Sequence, residues 1–410
     1  MTTSTKVASM IEERINWLAQ FGKEGEGITR LLYTESWQKA QQELASWLEN
    51  LGFSVYYDEV GNLFGRLEGK TDGPVILTGS HIDTVRSGGH FDGAYGIIAS
   101  ALAASELYQE YGQPEQTLEI VALCEEEGSR FPFAYLGSKY LTGAVAADDL
   151  EGIKDQNDIS LLEAREQSGF TSPLAPHKHE EIERFIEIHI EQGKVLETAG
   201  DELGLVDAIV GQRRFTIYVN GEANHAGTTP MPLRRDAMEG ASEMVQSLLK
   251  LTRAKGDPLV ATVGQMELVP NSVNVIPSQA RFSVDVRHPD KRELENACKG
   301  MEHRFQEIAE EMNVEVSIEP FMAVDPVAMD EEMNQDLERI CNEQNVNYQR
   351  MYSGAGHDAQ VLGTKVPASL LFVPSRHGIS HSPLEFTATD ELEKGYHVLK
   401  HALRTWSYKY

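Results

Sequence analysis

Cysteine is scarce in this chain. Among 410 residues there are three, Cys124, Cys298 and Cys341. They are too few and too scattered for a disulfide framework or a thiolate zinc site, and a reducing compartment suits them. Long apolar runs are missing too, since none approaches the roughly 18 residues that a membrane helix needs. Positive charge is in short supply. The 36 Lys and Arg against 64 Asp and Glu leave a formal net charge of -28, which argues against nucleic acid or an anionic membrane as partner. The opening residues Met1–Lys6 lack the apolar core and small-residue cleavage pattern of a secretory leader. Internal repeats and low-complexity segments are absent as well. A soluble, cytoplasmic protein is expected.

What is present is ordinary globular composition, 41% hydrophobic and 24% charged. A chain of this length exceeds what one core comfortably holds, so two domains are expected. Helical periodicity runs over 6–21 and again over 35–51, with Ser36 as a candidate cap. Phe53–Tyr57 and Asn62–Leu67 read as a hairpin across the turn at 58–61. The apolar run Val75–Leu77 reads as a buried strand, 94–107 as a small-residue helix pressed on a sheet, and Thr117–Leu123 as the next strand. That order gives a βαβ unit with parallel strands. Helices and polar loops are expected over 137–180, and strands over Phe185–Gly193 and Leu205–Val210.

From about Gly211 the pattern changes to strand (215–219), helix (235–252), strand (259–268), strand (280–286), helix (291–312) and strand (314–318). This β-α-β-β-α-β order is ferredoxin-like. It predicts an inserted second domain over 211–325, with 1–210 and 326–410 forming the first. The first domain resumes with a helix (331–344), a glycine-rich loop (353–357), a strand (368–374), a loop containing His381 and a final helix (390–406).

The chemistry concentrates in Gly79-Ser80-His81-Ile82-Asp83-Thr84-Val85 and Gly88-Gly89-His90-Phe91-Asp92-Gly93. These stretches place His81, Asp83 and Asp92 in one loop after a buried strand, and ligands gather at such carboxyl ends. Glu125-Glu126-Glu127 follows the next strand, His189 nears the end of another, and His381 lies in a late loop. A dinuclear site needs about five protein ligands and an open face. His81, Asp92, Glu127, His189 and His381 are the candidates. If the backbone is extended, Glu126 and Glu127 diverge, so one could bind metal while the other serves as general base. Asp83, two residues beyond His81, suits a carboxylate that holds the imidazole in its tautomer. In the second domain, the His225–Pro230 loop could reach a substrate. Asn274 and Arg287 could clamp a carboxylate. The glycines around Gly356 permit close approach of the backbone to a ligand.

Together these motifs resemble the dinuclear metal amidohydrolases related to aminoacylase and to aminopeptidase-like exopeptidases. The resemblance covers almost the whole chain: Gly79–Val85, Gly89–Gly93, Glu125–Phe131, His189–Gly193, His225–Met231, Asn274–Pro277, Ser353–Ala359 and Gly378–Pro383. Within that family the chain is similar to the branch containing allantoate amidohydrolase, N-carbamoyl-L-amino-acid hydrolase, ureidoglycolate amidohydrolase and beta-ureidopropionase. The resemblance implies an aminopeptidase-like α/β catalytic domain with a mixed, largely parallel sheet, plus a ferredoxin-like lid and dimerisation domain. It implies two divalent ions, Zn²⁺ or Mn²⁺, held by His81, Asp92 as the bridge, Glu127, His189 and His381, with Glu126 as general base. Substrate contacts are implied for Gln192, His225, Asn274, Arg287 and Gly356, with His225 acting across the subunits of a homodimer. The stretches Val206–Arg214, Glu127–Pro132, Thr228–Met231 and Ser353–Asp358 resemble the enzymes of the branch that act on allantoate, a small anionic substrate. N-carbamoyl-L-amino acids are the alternative, then ureidoglycolate or a dipeptide. A binding protein without activity would be expected to have lost ligands or the base, and this chain has kept them all.

Overall fold

The computed structural model of the protein describes residues 3–174 and 181–408. Met1 and Thr2, at the start of the segment judged not to be a leader, lie outside the described residues. So do 175–180, at the end of the region expected to form helices and polar loops. The rest of that region forms short helices at Leu136–Leu141 and Leu161–Gln167. The chain through Asp207, together with Met329 onward, forms one compact unit, and Ala208–Ala328 forms a second.

The first unit is built on a nine-stranded mixed sheet. Its centre is parallel. Val75–His81 pairs on one side with Leu118–Leu123 and on the other with Ile182–Ile190, which pairs in turn with Ala368–Val373. Val75–His81, Leu118–Leu123 and Ala368–Val373 are buried throughout. That is why they read as continuous apolar runs rather than alternating ones. The flanks are antiparallel, through Leu63–Leu67 on one edge and Leu203–Ile209 on the other. Helix Ala94–Tyr111 lies directly on the sheet, and its small residues let it do so. A side chain on Gly96 would meet the Ile188 carbonyl at 2.5 Å and Ser80 Cβ at 2.6 Å. The same helix packs against Thr389–Ser407 and Thr3–Ala19.

Several local expectations are corrected. The helix at Glu35–Asn50 is capped by Thr34, not Ser36; its hydroxyl accepts from Trp37 N. His81 is the last residue of its strand and not part of the following loop. A further strand, Tyr348–Ser353, joins Leu203–Ile209. Its polar, half-buried sequence gave no apolar run to read.

The order of the parallel strands positions the site. From Val75–His81 the chain moves first to one neighbour and later to the other. The point where strand order reverses therefore lies between Val75–His81 and Ile182–Ile190. At such a point the connections diverge and leave a crevice at the carboxyl ends. His81 and His189 stand at those two ends, with ring centroids 5.8 Å apart.

The second unit has a five-stranded antiparallel sheet. Glu315–Val324 lies beside Gly211–Asn220, then Gln279–His288, which pairs with both Val260–Thr262 and Met266–Val269. The single strand expected over 259–268 is thus broken in two. Strict alternation buries Phe215, Ile217 and Val219 with Ala280, Phe282, Val284 and Val286. Helices Ala237–Lys255 and Lys291–Glu311 cover that face through residues such as Met244, Leu248, Leu294, Met301 and Phe305.

Candidate active site

Asp92 is the centre of the constellation. It is buried in the turn before helix Ala94–Tyr111. Its Oδ1 lies 3.4 Å from His81 Nε2 and 3.1 Å from His189 Nε2. Its Oδ2 lies 3.3 Å from His381 Nε2, which is in turn 3.4 Å from Glu127 Oε1. Two donor triads result, His81–Asp92–His189 and Asp92–Glu127–His381, and they share one carboxylate. Gly93 permits this crowding. Its φ is +65°, and a Cβ there would sit 2.3 Å from the His81 carbonyl and 2.6 Å from the imidazole.

The imidazoles are held by main chain. His81 Nδ1 lies 3.1 Å from the Asp83 carbonyl, and His189 Nδ1 lies 2.8 Å from the Ile190 carbonyl. A proton on each Nδ1 donates to its carbonyl and leaves Nε2 to face Asp92. The expected partner of His81, the Asp83 carboxylate, is 4.0 Å away, outside hydrogen-bond reach. It is buried and accepts instead from the backbone N–H groups of Glu126 and Glu127, each at 3.1 Å.

The chain is bent, not extended, at Glu126 and Glu127. Glu125 has φ +53°, and its carboxylate accepts from Arg130 N and Phe131 N to close the turn. Glu126 and Glu127 therefore do not diverge as an extended backbone would require. Both fall in one cluster with His81, with donor atoms within 4.8 Å of one another. Gln192 and His381 also hold left-handed backbone, at φ +58° and +54°. Such non-glycine strain costs about 1–3 kcal/mol each and clusters where geometry is over-determined. Gln192 Nε2 donates to Asp92 Oδ2 at 3.2 Å and to Ser380 Oγ at 3.3 Å.

Electrostatics favour a bound cation. Burial works against ionisation of Asp92, but His189, His381 and His81 together hold it well below the usual carboxylate range. Burial, reinforced by Asp92, pushes Glu127 up to about 7. Burial also pushes Glu126 well up, although the neighbouring His81 opposes this. The Asp92 hydrogen bond raises His381 to about 9. Buried Glu127 Oε1 has no hydrogen-bond partner among the described residues. An orphan oxygen beside two imidazoles and a shared carboxylate suits a divalent ion that accepts N and O donors. His381 is half exposed, so one side of the cluster is open.

Sequence reasoning missed two buried groups here. His357, the residue after Gly356, packs its ring 4.6 Å from that of His189, and burial lowers its pKa well below the usual value. With Glu187 and His189 it forms a fourth donor cluster. The Glu187 oxygens are already committed, accepting from Ser80 Oγ at 2.7 Å and Ala359 N at 3.0 Å. The other missed group is Glu385, four residues past His381. Gly356 itself abuts Tyr135, since a Cβ there would lie 2.0 Å from the phenol oxygen.

His225, Asn274 and Arg287 belong to the second unit. Asn224–His225 pairs with Val275–Ile276, and Ala226 N donates to the Asn274 carbonyl at 3.0 Å. His225 is thus exposed on its strand, and Asn274 is exposed in the turn just before the neighbouring strand. Arg287 makes a bidentate pair with Asp285, at 3.0 and 2.9 Å. Arg214 Nε also reaches Asp285, at 2.8 Å. Two guanidinium groups thus converge on the one Asp285 carboxylate.

Comparison with known proteins adds to this geometry. The sequence profile of the peptidase family M20/M25/M40 matches residues 77–405. The chain is 44% identical over 399 residues to an allantoate amidohydrolase of Escherichia coli, covering 96% of this chain and 97% of that one. It is 43% identical over 406 residues to an allantoate amidohydrolase of Bacillus subtilis, covering 98% of each. A crystal structure of an amidase of the hydantoinase/carbamoylase family from Burkholderia multivorans superposes with a TM-score of 0.92 at 32% identity, covering 97% of both chains.

Proposed function

The chain belongs to the peptidase family M20/M25/M40, and from that premise we propose that it is a metal-dependent amidohydrolase acting on a ureido group of allantoate. The observation that carries the chemistry is the pair of donor triads sharing Asp92. The near full-length similarity to two allantoate amidohydrolases supports the substrate. The products are ureidoglycine, ammonia and carbon dioxide, a step of allantoin and purine breakdown.

Two divalent ions, Zn²⁺ or Mn²⁺, held by His81 and His189 on one side, Glu127 and His381 on the other and Asp92 between them, would polarise the ureido carbonyl and acidify water. Glu126 takes the proton of the attacking water and delivers it to the leaving nitrogen. Its raised pKa and place beside His81 and Glu127 support that role. Asp83 acts through the main chain, fixing Glu126 and Glu127. Gln192 and the Gly356 main chain contact the substrate. Asn274 and Arg287 hold its carboxylate. We read the second unit as a ferredoxin-like lid and dimerisation module, with His225 acting across the subunits of a homodimer. No helix among the described residues is long and apolar enough to cross a membrane, and we place the enzyme in the cytoplasm.

The test is a steady-state panel on metal-stripped protein reconstituted with Zn²⁺ or Mn²⁺, scoring ammonia release from allantoate, N-carbamoyl-L-amino acids and ureidoglycolate, and amine release from dipeptides. Allantoate should have the highest kcat/KM. The similarity to a hydantoinase/carbamoylase-family amidase favours N-carbamoyl-L-amino acids as the second reading, and faster turnover of those would replace the first.

A further inference from the structure

We propose that Glu385 is a positioning residue that ties the Asp92 turn to the His381 loop and so fixes the shared geometry of the two triads. The proposal rests on reading His81, Asp92, Glu127, His189 and His381 as metal ligands. Glu385 is buried, 5% exposed. Its Oε1 accepts from the backbone N–H of Phe91 at 2.9 Å and of Asp92 at 3.1 Å. Its Oε2 accepts from Ser380 Oγ at 2.8 Å. Ser380 precedes His381, and its hydroxyl oxygen accepts from Gln192 Nε2, which also donates to Asp92 Oδ2. A closed ring of hydrogen bonds therefore runs from the Asp92 backbone through Glu385, Ser380 and Gln192 to the Asp92 side chain. It joins segments 294 residues apart in sequence.

A second, independent feature fits the same role. A Cβ on Gly89 would lie 2.2 Å from Glu385 Oε1, 2.3 Å from its Cδ and 2.5 Å from its Cβ. The position is needed for space. The missing side chain at Gly89 is the slot in which Glu385 sits, and this accounts for a glycine that the search for ligands left unexplained. A carboxylate accepting two successive amides sets both the height and the rotation of the Asp92 turn, as partners outside the ligand shell do in metal sites.

The experiment is titration of metal-stripped protein with Zn²⁺ against a chromophoric chelator, for wild type, Glu385→Ala, Glu385→Gly, Glu385→Gln, Gly89→Ala, the Gly89→Ala/Glu385→Gly double variant and His189→Ala. Thermal unfolding of each metal-stripped protein is measured alongside. Loss of such a partner typically weakens metal affinity about 10–100-fold. Glu385→Ala should do so, chiefly for the ion held by Asp92, Glu127 and His381. Glu385→Gln keeps an oxygen for the two amides and should stay closer to wild type. Gly89→Ala changes no charge and touches no ligand, yet should reproduce the loss by expelling Glu385. In the double variant residue 385 has no Cβ, so the vacated slot accepts the methyl group and binding should be no worse than in Glu385→Gly. The brace is overturned if wild type binds two ions and Glu385→Ala binds both as tightly, or if Gly89→Ala adds its full effect to Glu385→Gly. If wild type takes up no more Zn²⁺ than His189→Ala, the ligand reading itself fails, and the brace with it.

Discussion

Asp83→Asn separates two roles that one carboxylate could play. If the Asp83 side chain oriented His81, the variant would lose metal. The distances point elsewhere, with 4.0 Å from the carboxylate to His81 Nδ1 against 3.1 Å to each of the Glu126 and Glu127 amides. His81 is held by the Asp83 main-chain carbonyl, which the substitution leaves in place. Asparagine supplies one oxygen where aspartate supplied two, so one buried N–H is left facing an NH₂ group. An unsatisfied buried donor costs about 1–3 kcal/mol. If that cost falls on the placement of Glu126, kcat drops about 5- to 150-fold, at 1.36 kcal/mol per decade. The assay combines chelator-competition Zn²⁺ affinity with kcat on fully loaded protein. The expected result is near wild-type Zn²⁺ binding with a clear loss of kcat. Weakened Zn²⁺ binding with unchanged kcat per loaded enzyme would refute the reasoning and return the carboxylate to His81.

Three further expectations follow from the same geometry. Glu126→Gln should retain its metal content but lose about 10²- to 10⁴-fold in kcat, the usual worth of a general base; near wild-type turnover of loaded protein would remove that assignment. In the metal-stripped protein Glu127 titrates at about 7 and His381 at about 9, and a cation must displace both protons. Burial opposes it, but contacts with Asp92 shift His81 and His189 up as well, so Zn²⁺ affinity should rise steeply with pH across 6–9 as these protons are given up, by proton linkage; a competition titration flat across pH 6–9 would contradict this. Gly79→Ala puts a Cβ 1.9 Å from the Val121 carbonyl in the central parallel pair, and about 3 kcal/mol of destabilisation, at the upper end of the usual cost of overpacking, should appear as a lower urea midpoint.

The candidate donors were legible in the sequence because the sheet makes them local. Buried parallel strands read as apolar runs, and their carboxyl ends are the next residues along, so His81, Glu127 and His189 could be placed without coordinates. Other features needed the tertiary structure. Asp83 turned out to hold a neighbouring turn by its amides rather than an imidazole, because the bend at Glu125 swings Glu126 and Glu127 over it. An extended backbone would make them diverge, and the chain does not adopt one there. The strand at Tyr348–Ser353 escaped notice because its residues are polar and half buried. Glu385 carries no sequence signal, since a buried glutamate in a loop reads like any surface glutamate, and His357 was legible only as part of the glycine-rich loop, not as a neighbour of His189. Sequence alone determined which side chains can bind metal and on which strand ends they ride, because side-chain chemistry and hydrophobic period are properties of neighbours in the chain. Only the fold decided how the donors sort into two triads around Asp92 and what braces them. Those contacts join residues up to about 300 positions apart, and their geometry exists only once the strands have paired.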